Sequence, residues 1–166
     1  MNENIKLPIN REMENYFKGD TRCINHAHKV TAYAEEIGSK EGGDFPVVVA
    51  AGLLHDIGIP EAERKYGSAI GKYQEIEGPP IAREILSRIR FPGKQIDEVC
   101  EIIAHHHSPG IIKSQNFKIL YDADWLVNLG DEYDIKDNNK LKTIIGKVFL
   151  TSSGQSLARK IYLGIQ

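Results

Sequence analysis

The sequence predicts an all-α protein, a single-domain helical bundle. Two patterns and one quantity lead there. Apolar residues recur at intervals of three and four along almost the whole chain. No segment alternates apolar and polar residues as a half-buried strand would. The chain has 166 residues, 41% hydrophobic and 27% charged, which suits one ordinary globular domain with its own core. Residues 1–166 are read as one domain, with no internal repeat and no low-complexity linker.

Taken in order, residues 9–18 form a short first helix ended near Gly19. Asp20 or Thr21 caps a second helix that runs to about Lys40, with His26, Val30, Tyr33, Ala34 and Ile37 on one stripe. Gly42 and Gly43 break the chain, and Asp44 caps a helix with Pro46 in its first turn. Residues 47–56 are apolar nearly all round, the mark of a buried central helix, and Gly58 and Pro60 stop it. Residues 61–78 are polar and interrupted by Gly67, Gly71 and Gly78; they read as a loop with at most a helical turn, a candidate substrate lid. Pro79 and Pro80 then open a helix over 81–89, and Phe91-Pro92-Gly93 is a turn. Helices follow over about 95–107, 117–129, 138–150 and 154–163. The last two, with Phe149, Leu150, Leu157, Ile161, Tyr162 and Leu163, complete the core; a homodimer face is their alternative use.

Formal net charge is -2, and Lys and Arg are interspersed with acids, which argues against a nucleic-acid stripe or a membrane-surface patch. The longest apolar run, residues 47–54, is too short to span a bilayer. Residues 1–10 lack the basic start and apolar stretch of a signal peptide. A cytoplasmic location is the expectation. Cys23 and Cys100 make no disulfide framework and read as small packing residues.

The chemistry is announced by polar residues on apolar faces. His55-Asp56 ends the buried helix, and both are costly to bury unless partnered. A helix C-terminus also attracts a histidine for its free carbonyls, so the dipeptide alone decides nothing. His26 interrupts the stripe of the second helix. His105-His106-His107 closes the helix whose stripe is Ile96, Val99, Cys100 and Ile103; spacing turns His106 most inward, leaves His107 borderline and puts His105 toward the Ile102 side. Asp122 and Asp124 sit among Leu120, Ala123, Leu126 and Val127. A divalent ion held between helices accounts for all of these at once. Mixed His and Asp ligands suit Mn, Fe, Co, Ni or Zn and leave positions open for water and substrate.

In order and texture, His26, then His55-Asp56-Ile57-Gly58, then residues 102–106, then Ala123-Asp124-Trp125-Leu126 resemble the HD superfamily of metal-dependent phosphohydrolases, over roughly residues 20–130. The run Leu53-Leu54-His55-Asp56-Ile57-Gly58 is close to that family's signature, and Ala-Asp-x-Leu with Asn128 after it matches its last motif. The resemblance implies that His26, His55, Asp56 and Asp124 are the metal ligands, with Asp122 a group supporting them. The departures are specific. Residues 73–78 carry Gln74 where two-metal members have a histidine, so a second metal needs a changed set drawn from His105, His106, Glu75 and Glu77. Ile59 stands where Lys often follows the signature, and the Gly-Tyr-Pro motif of cyclic-di-GMP phosphodiesterases is missing.

The resemblance implies hydrolysis of a phosphoester or phosphoanhydride bond in a small phosphorylated metabolite, a nucleotide first. Asp56 is expected to orient or deprotonate the attacking water, and His106 or His105 to protonate the leaving oxygen or hold phosphate. Arg64, Lys65, Lys72 and Arg83 are candidate phosphate clamps, each weighed against an ordinary surface charge. Tyr66 and Tyr73 are candidates for stacking on a base, and equally for covering the core. The competing readings are a non-hydrolytic nucleotide-binding regulator, a di-iron oxygenase, and a plain bundle whose histidines only satisfy local hydrogen bonds.

Overall fold

The computed structural model describes residues 3–133 and 136–165. Among them the chain forms nine helices and no strand: α1 (Glu3–Phe17), α2 (Thr21–Glu41), α3 (Phe45–Leu54), α4 (Ile59–Tyr66), α5 (Gly71–Arg88), α6 (Gly93–His105), α7 (Gln115–Glu132), α8 (Asn138–Val148) and α9 (Ser152–Leu163). The all-α class expected from the apolar spacing is the observed one.

Helix α3 is the centre. Every residue from Val47 to Leu54 is buried, because its neighbours α1, α2, α6 and α7 cover it on all sides. Asp20, rather than Thr21, caps α2 by accepting from the Cys23 amide at 3.2 Å. The buried stripe of α2 runs through Ala27, Val30, Ala34 and Ile37. Helices α2 and α3 approach closely at Gly52: a Cβ there would lie 2.7 Å from Thr31 Oγ1 and 3.0 Å from Thr31 Cα. That crossing brings the middle of α2 and the C-terminal end of α3 together, and with them His26 and His55.

The segment 61–78 is not a loop. It folds as α4 and the first half of α5, with only residues 67–70 between them. Gly67 closes α4 at φ 66° with its amide on the Glu63 carbonyl, so this glycine is a helix terminator. Pro79 and Pro80 lie inside α5 instead of opening it. Each proline removes one amide donor, yet α5 continues because its buried face spans them, with Gln74, Glu77 and Gly78 before and Ala82, Ile85 and Leu86 after. Tertiary contacts hold the first half: a Cβ on Gly58 would meet Gly78 N at 2.7 Å and Gln74 O at 2.8 Å. Lys65 Nζ and Tyr66 Oη both donate to Glu77, at 2.9 and 2.8 Å. Tyr66 and Tyr73 stack on each other at 4.1 Å, so this pair fastens α4 to α5 and is not a platform for a base. Helix α1 likewise starts at Glu3 rather than Ile9 and contains Pro8, held by buried Ile9, Met13 and Phe17.

At the other end, Leu141, Ile145, Phe149 and Ala158 join the same hydrophobic core as α2, α3 and α7. The turn between α8 and α9 is anchored by Asp122, which accepts from the Leu150 and Thr151 amides at 2.8 Å each and from Thr151 Oγ1 at 2.6 Å.

Candidate metal centre

Four polar side chains from three places in the fold meet beside the C-terminal end of α3. His26 comes from α2, His55 and Asp56 from the turn after α3, and Asp124 from α7. His26 Nε2 lies 3.2 Å from His55 Nε2 and 3.0 Å from Asp124 Oδ1. Asp56 Oδ2 is 3.3 Å from His26 Nε2 and 3.4 Å from His55 Nε2, and Asp124 Oδ1 is 3.4 Å from His55 Nε2. Donors about 2.0–2.2 Å from one ion stand about 3.0–3.5 Å from one another, so these separations fit a shared first-row ion.

The tautomers fit as well. His55 Nδ1 lies 2.8 Å from the Gly52 carbonyl oxygen, which can only accept, so Nδ1 carries the hydrogen and Nε2 presents its lone pair. The same logic holds for His106, whose Nδ1 donates to the Ile103 carbonyl at 2.7 Å. Lone pairs and carboxylates therefore face one another across the cluster, an arrangement that asks for positive charge among them. Burial opposes charge on His55, but the carboxylates of Asp56 and Asp124 outweigh it and raise its pKa well above the ordinary imidazole value. Burial likewise pushes Asp56 and Asp124 up, and the neighbouring imidazoles, His55 first, more than reverse it, holding both carboxyls well below their usual range.

A second group adjoins the first. Asp56, His106 and His107 each offer a ligand atom within 4.8 Å of the others. His106 Nε2 is 3.5 Å from Asp56 Oδ1, is buried and has no hydrogen-bond partner. His107, borderline from sequence, lies over Gly71 and opposite Gln74, whose Oε1 is 3.1 Å from its Nε2. Desolvation of its ring, then the adjacent His106, pushes the His107 pKa down to about 4, so it is neutral at neutral pH.

A cavity of about 550 Å³ opens over the cluster. His26, Asp56, Asp124, Gln74 and His107 form part of its wall, as do Arg22, Lys29, Asn128, Asp131 and Glu132. His105 and His106 do not reach it. His106 is sealed behind Asp56, and His105 turns back to its own helix, with Nδ1 donating to the Glu101 carbonyl at 2.9 Å. The inward histidine was legible in the helical spacing; the pocket histidine is the next one along.

Several expected site residues are elsewhere. Glu75 accepts from the His107 amide and the Ser108 hydroxyl, each at 2.9 Å, and so ties α5 to the turn after α6. Glu77 is engaged by Lys65 and Tyr66, which, Lys65 first, hold its carboxyl below the usual range. Neither carboxylate belongs to the two groups of converging ligand atoms. Asp122 faces the α8–α9 turn and supports no ligand, because two residues along a helix point to nearly opposite sides. Among the expected phosphate clamps, Arg64 pairs with Glu61 at 2.6 Å, Lys65 with Glu77 at 2.9 Å and Arg83 with Asp97 at 2.8 Å. Lys72 is exposed and does not line the cavity. The cations that do line it are Arg22 and Lys29, which the sequence reading did not single out. Their signal was present: they stand four before and three after His26, on its helix face. Cys23 also lines the cavity, but burial, then Asp20, pushes its thiol up to about 12, so it is no nucleophile.

Comparison with curated proteins gives no match. A crystal structure of a predicted HD superfamily hydrolase from an uncultured Thermotogales bacterium superposes with a TM-score of 0.67 at 27% identity, covering 98% of this chain and 85% of that one. The HD domain family model matches residues 23–129, a span containing the whole cluster from His26 to Asp124, and the chain thus belongs to the HD domain family.

Proposed function

We propose that this protein is a metal-dependent phosphohydrolase that cleaves a phosphoester or phosphoanhydride bond of a small phosphorylated metabolite. The observation that supports it most is the convergence of two imidazole nitrogens and two carboxylates, each nitrogen 3.0–3.4 Å from each carboxylate, with His26, Asp56 and Asp124 lining an open cavity. A divalent cation held by His26, His55, Asp56 and Asp124 supplies Lewis acidity toward a phosphoryl oxygen and lowers the pKa of water. The residues of the chain supply the rest. Asp56 turns Oδ2 to the ligand cluster and leaves Oδ1 as the atom to accept a proton from the attacking water. His106 presents the lone pair of Nε2 3.5 Å from that Oδ1. His107, neutral at neutral pH, is the histidine outside the ligand group that lines the cavity.

A second reading rests on His106. Its buried, unpartnered Nε2, with Asp56 Oδ1 and His107, makes a donor set for a second cation. Two irons there would favour the oxygenase alternative over hydrolysis, with Gln74 standing where two-metal relatives have a histidine.

Metal content decides between these. Protein purified without chelator or a His tag is expected to carry about one transition metal per chain, lost in Asp56→Ala, and to release phosphate with Mn, Co or Ni until chelated. Two irons per chain with no phosphate release would move the assignment to oxidation. Absence of any stoichiometric metal after reloading would overturn the enzyme reading and leave a binding module. Nucleotides, the class expected from sequence, enter the screen beside sugar and polyol phosphates.

A further inference from the structure

The cavity over the cluster has two unlike walls. On α2, Arg22 and Lys29 flank His26, are exposed, and take part in no ion pair among the described residues, while Asp20 before α2 and Glu63 of α4 add two further carboxylates to the lining. This sets them apart from Arg64, Lys65 and Arg83, whose charges are already answered by carboxylates. On α7, Asn128, Asp131 and Glu132 follow Asp124 by four, seven and eight residues and so rise from its helix face. An unpaired cation at the mouth of a phosphate site is a charge-assisted donor waiting for an anion. A carboxylate and an amide opposite it are acceptors suited to hydroxyl groups. Among the described residues no Phe, Tyr or Trp lines this cavity, so a base would find no aromatic ring to stack on.

Resting on the phosphohydrolase reading, we infer that the substrate is a phosphomonoester of a sugar or polyol: its one phosphate is held by Arg22 and Lys29, and its hydroxyls by Asn128, Asp131 and Glu132. Additional phosphates would have to be set against Asp131 and Glu132, and like charges at such range repel. The acid wall therefore selects against polyphosphates, and the missing aromatic platform gives a nucleobase nothing to add.

Three probes that share one fragment test this: ribose 5-phosphate, adenosine 5′-monophosphate and adenosine 5′-triphosphate. Apparent dissociation constants come from the ligand-induced rise in melting temperature of the metal-loaded full chain. The expectation is that the base changes affinity by less than about threefold and the added phosphates weaken it about tenfold. Arg22→Ala and Lys29→Ala each weaken ribose 5-phosphate about tenfold, with helix content and metal stoichiometry unchanged. Asp131→Asn with Glu132→Gln narrows the gap between the triphosphate and ribose 5-phosphate. Monophosphate binding more than about tenfold tighter than ribose 5-phosphate would overturn the inference in favour of nucleotide recognition. So would tighter triphosphate binding, or affinity indifferent to Arg22 and Lys29. Selective binding without phosphate release would uphold the pocket assignment and refute hydrolysis. Phosphate release with KM values unmoved by the two variants would uphold hydrolysis and refute the pocket assignment.

Discussion

Asp56 Oδ1 stands 3.5 Å from His106 Nε2, a buried nitrogen with no hydrogen-bond partner, while the other oxygen of the same carboxylate faces His26 and His55. One side chain thus joins two clusters of donors. Asp56→Ala should therefore abolish activity, by about 10²–10⁴-fold or more, and remove bound metal, while circular dichroism keeps most of the helix signal. Loss of helix content alongside activity would make Asp56 a structural residue. His106→Ala should keep metal at the His26–His55–Asp124 group and lower the rate, a split that metal analysis and phosphate release read separately.

Asp122 and Asp124 are two residues apart and do different work. Asp124→Asn should weaken metal binding beyond the about 10–100-fold typical of losing a supporting partner. Asp122→Asn should leave metal stoichiometry intact and cost about 1–3 kcal/mol of stability, because an amide cannot accept from both the Leu150 and Thr151 amides and the Thr151 hydroxyl. Metal titration and urea melts separate the two; weaker metal binding in Asp122→Asn than in Asp124→Asn would reverse the assignment.

Asp122 also gives stability a pH dependence of unusual sign for a carboxylate. Burial raises its pKa from an ordinary 3.8 to about 6, against hydrogen bonds from Leu150 and Thr151 that pull it down. A folded-state pKa above the unfolded one means the folded state binds the proton more tightly. The contribution of Asp122 is then fully present below about 3.8 and is lost as pH rises through about 6. The stability gap between wild type and Asp122→Asn should shrink over that window in melts at successive pH values. A gap that widens toward neutral pH would contradict the sign.

The signature glycine has a packing role that a variant exposes. Gly58→Ala forces a Cβ against the backbone of Gly78 and Gln74, which cannot swing aside as a side chain would. The expected loss is about 1–3 kcal/mol, roughly 2–10 °C in melting temperature. Gly146→Ala, exposed within α8 and with no heavy atom within 4 Å of the added carbon, is the control and should gain up to about 1 kcal/mol from helix propensity rather than lose stability.

The ligand cluster was legible because metal ligands violate the pattern around them. His26 breaks an apolar stripe, His55 and Asp56 end a helix that is otherwise buried, and Asp124 sits among Leu120, Ala123 and Val127. What misled was local chemistry overruled by distant contacts. Glycines and paired prolines argue for a loop over 61–78, and nothing local announces that Gly58 and Gly78 will touch or that Glu77 will bind Lys65 and Tyr66. The misplaced phosphate clamps had another cause. Arg64 and Lys65 are near the signature along the chain, whereas Arg22 and Lys29 are near His26 around a helix. The second kind of nearness was readable from spacing and was the one that mattered.

The rings of His55 and His106 are both aimed by a carbonyl three residues back in the main chain, Gly52 for one and Ile103 for the other. In many metal sites that orienting acceptor is a carboxylate side chain, which must be gained along with the ligand and can be lost without it. Here no substitution at position 52 or 103 deletes the acceptor, since every residue type carries one. A histidine arising at such a helix end arrives with its tautomer already chosen. A ligand can then be recruited there by one substitution instead of two, and a site built this way tolerates sequence drift around it for as long as the helix keeps its end.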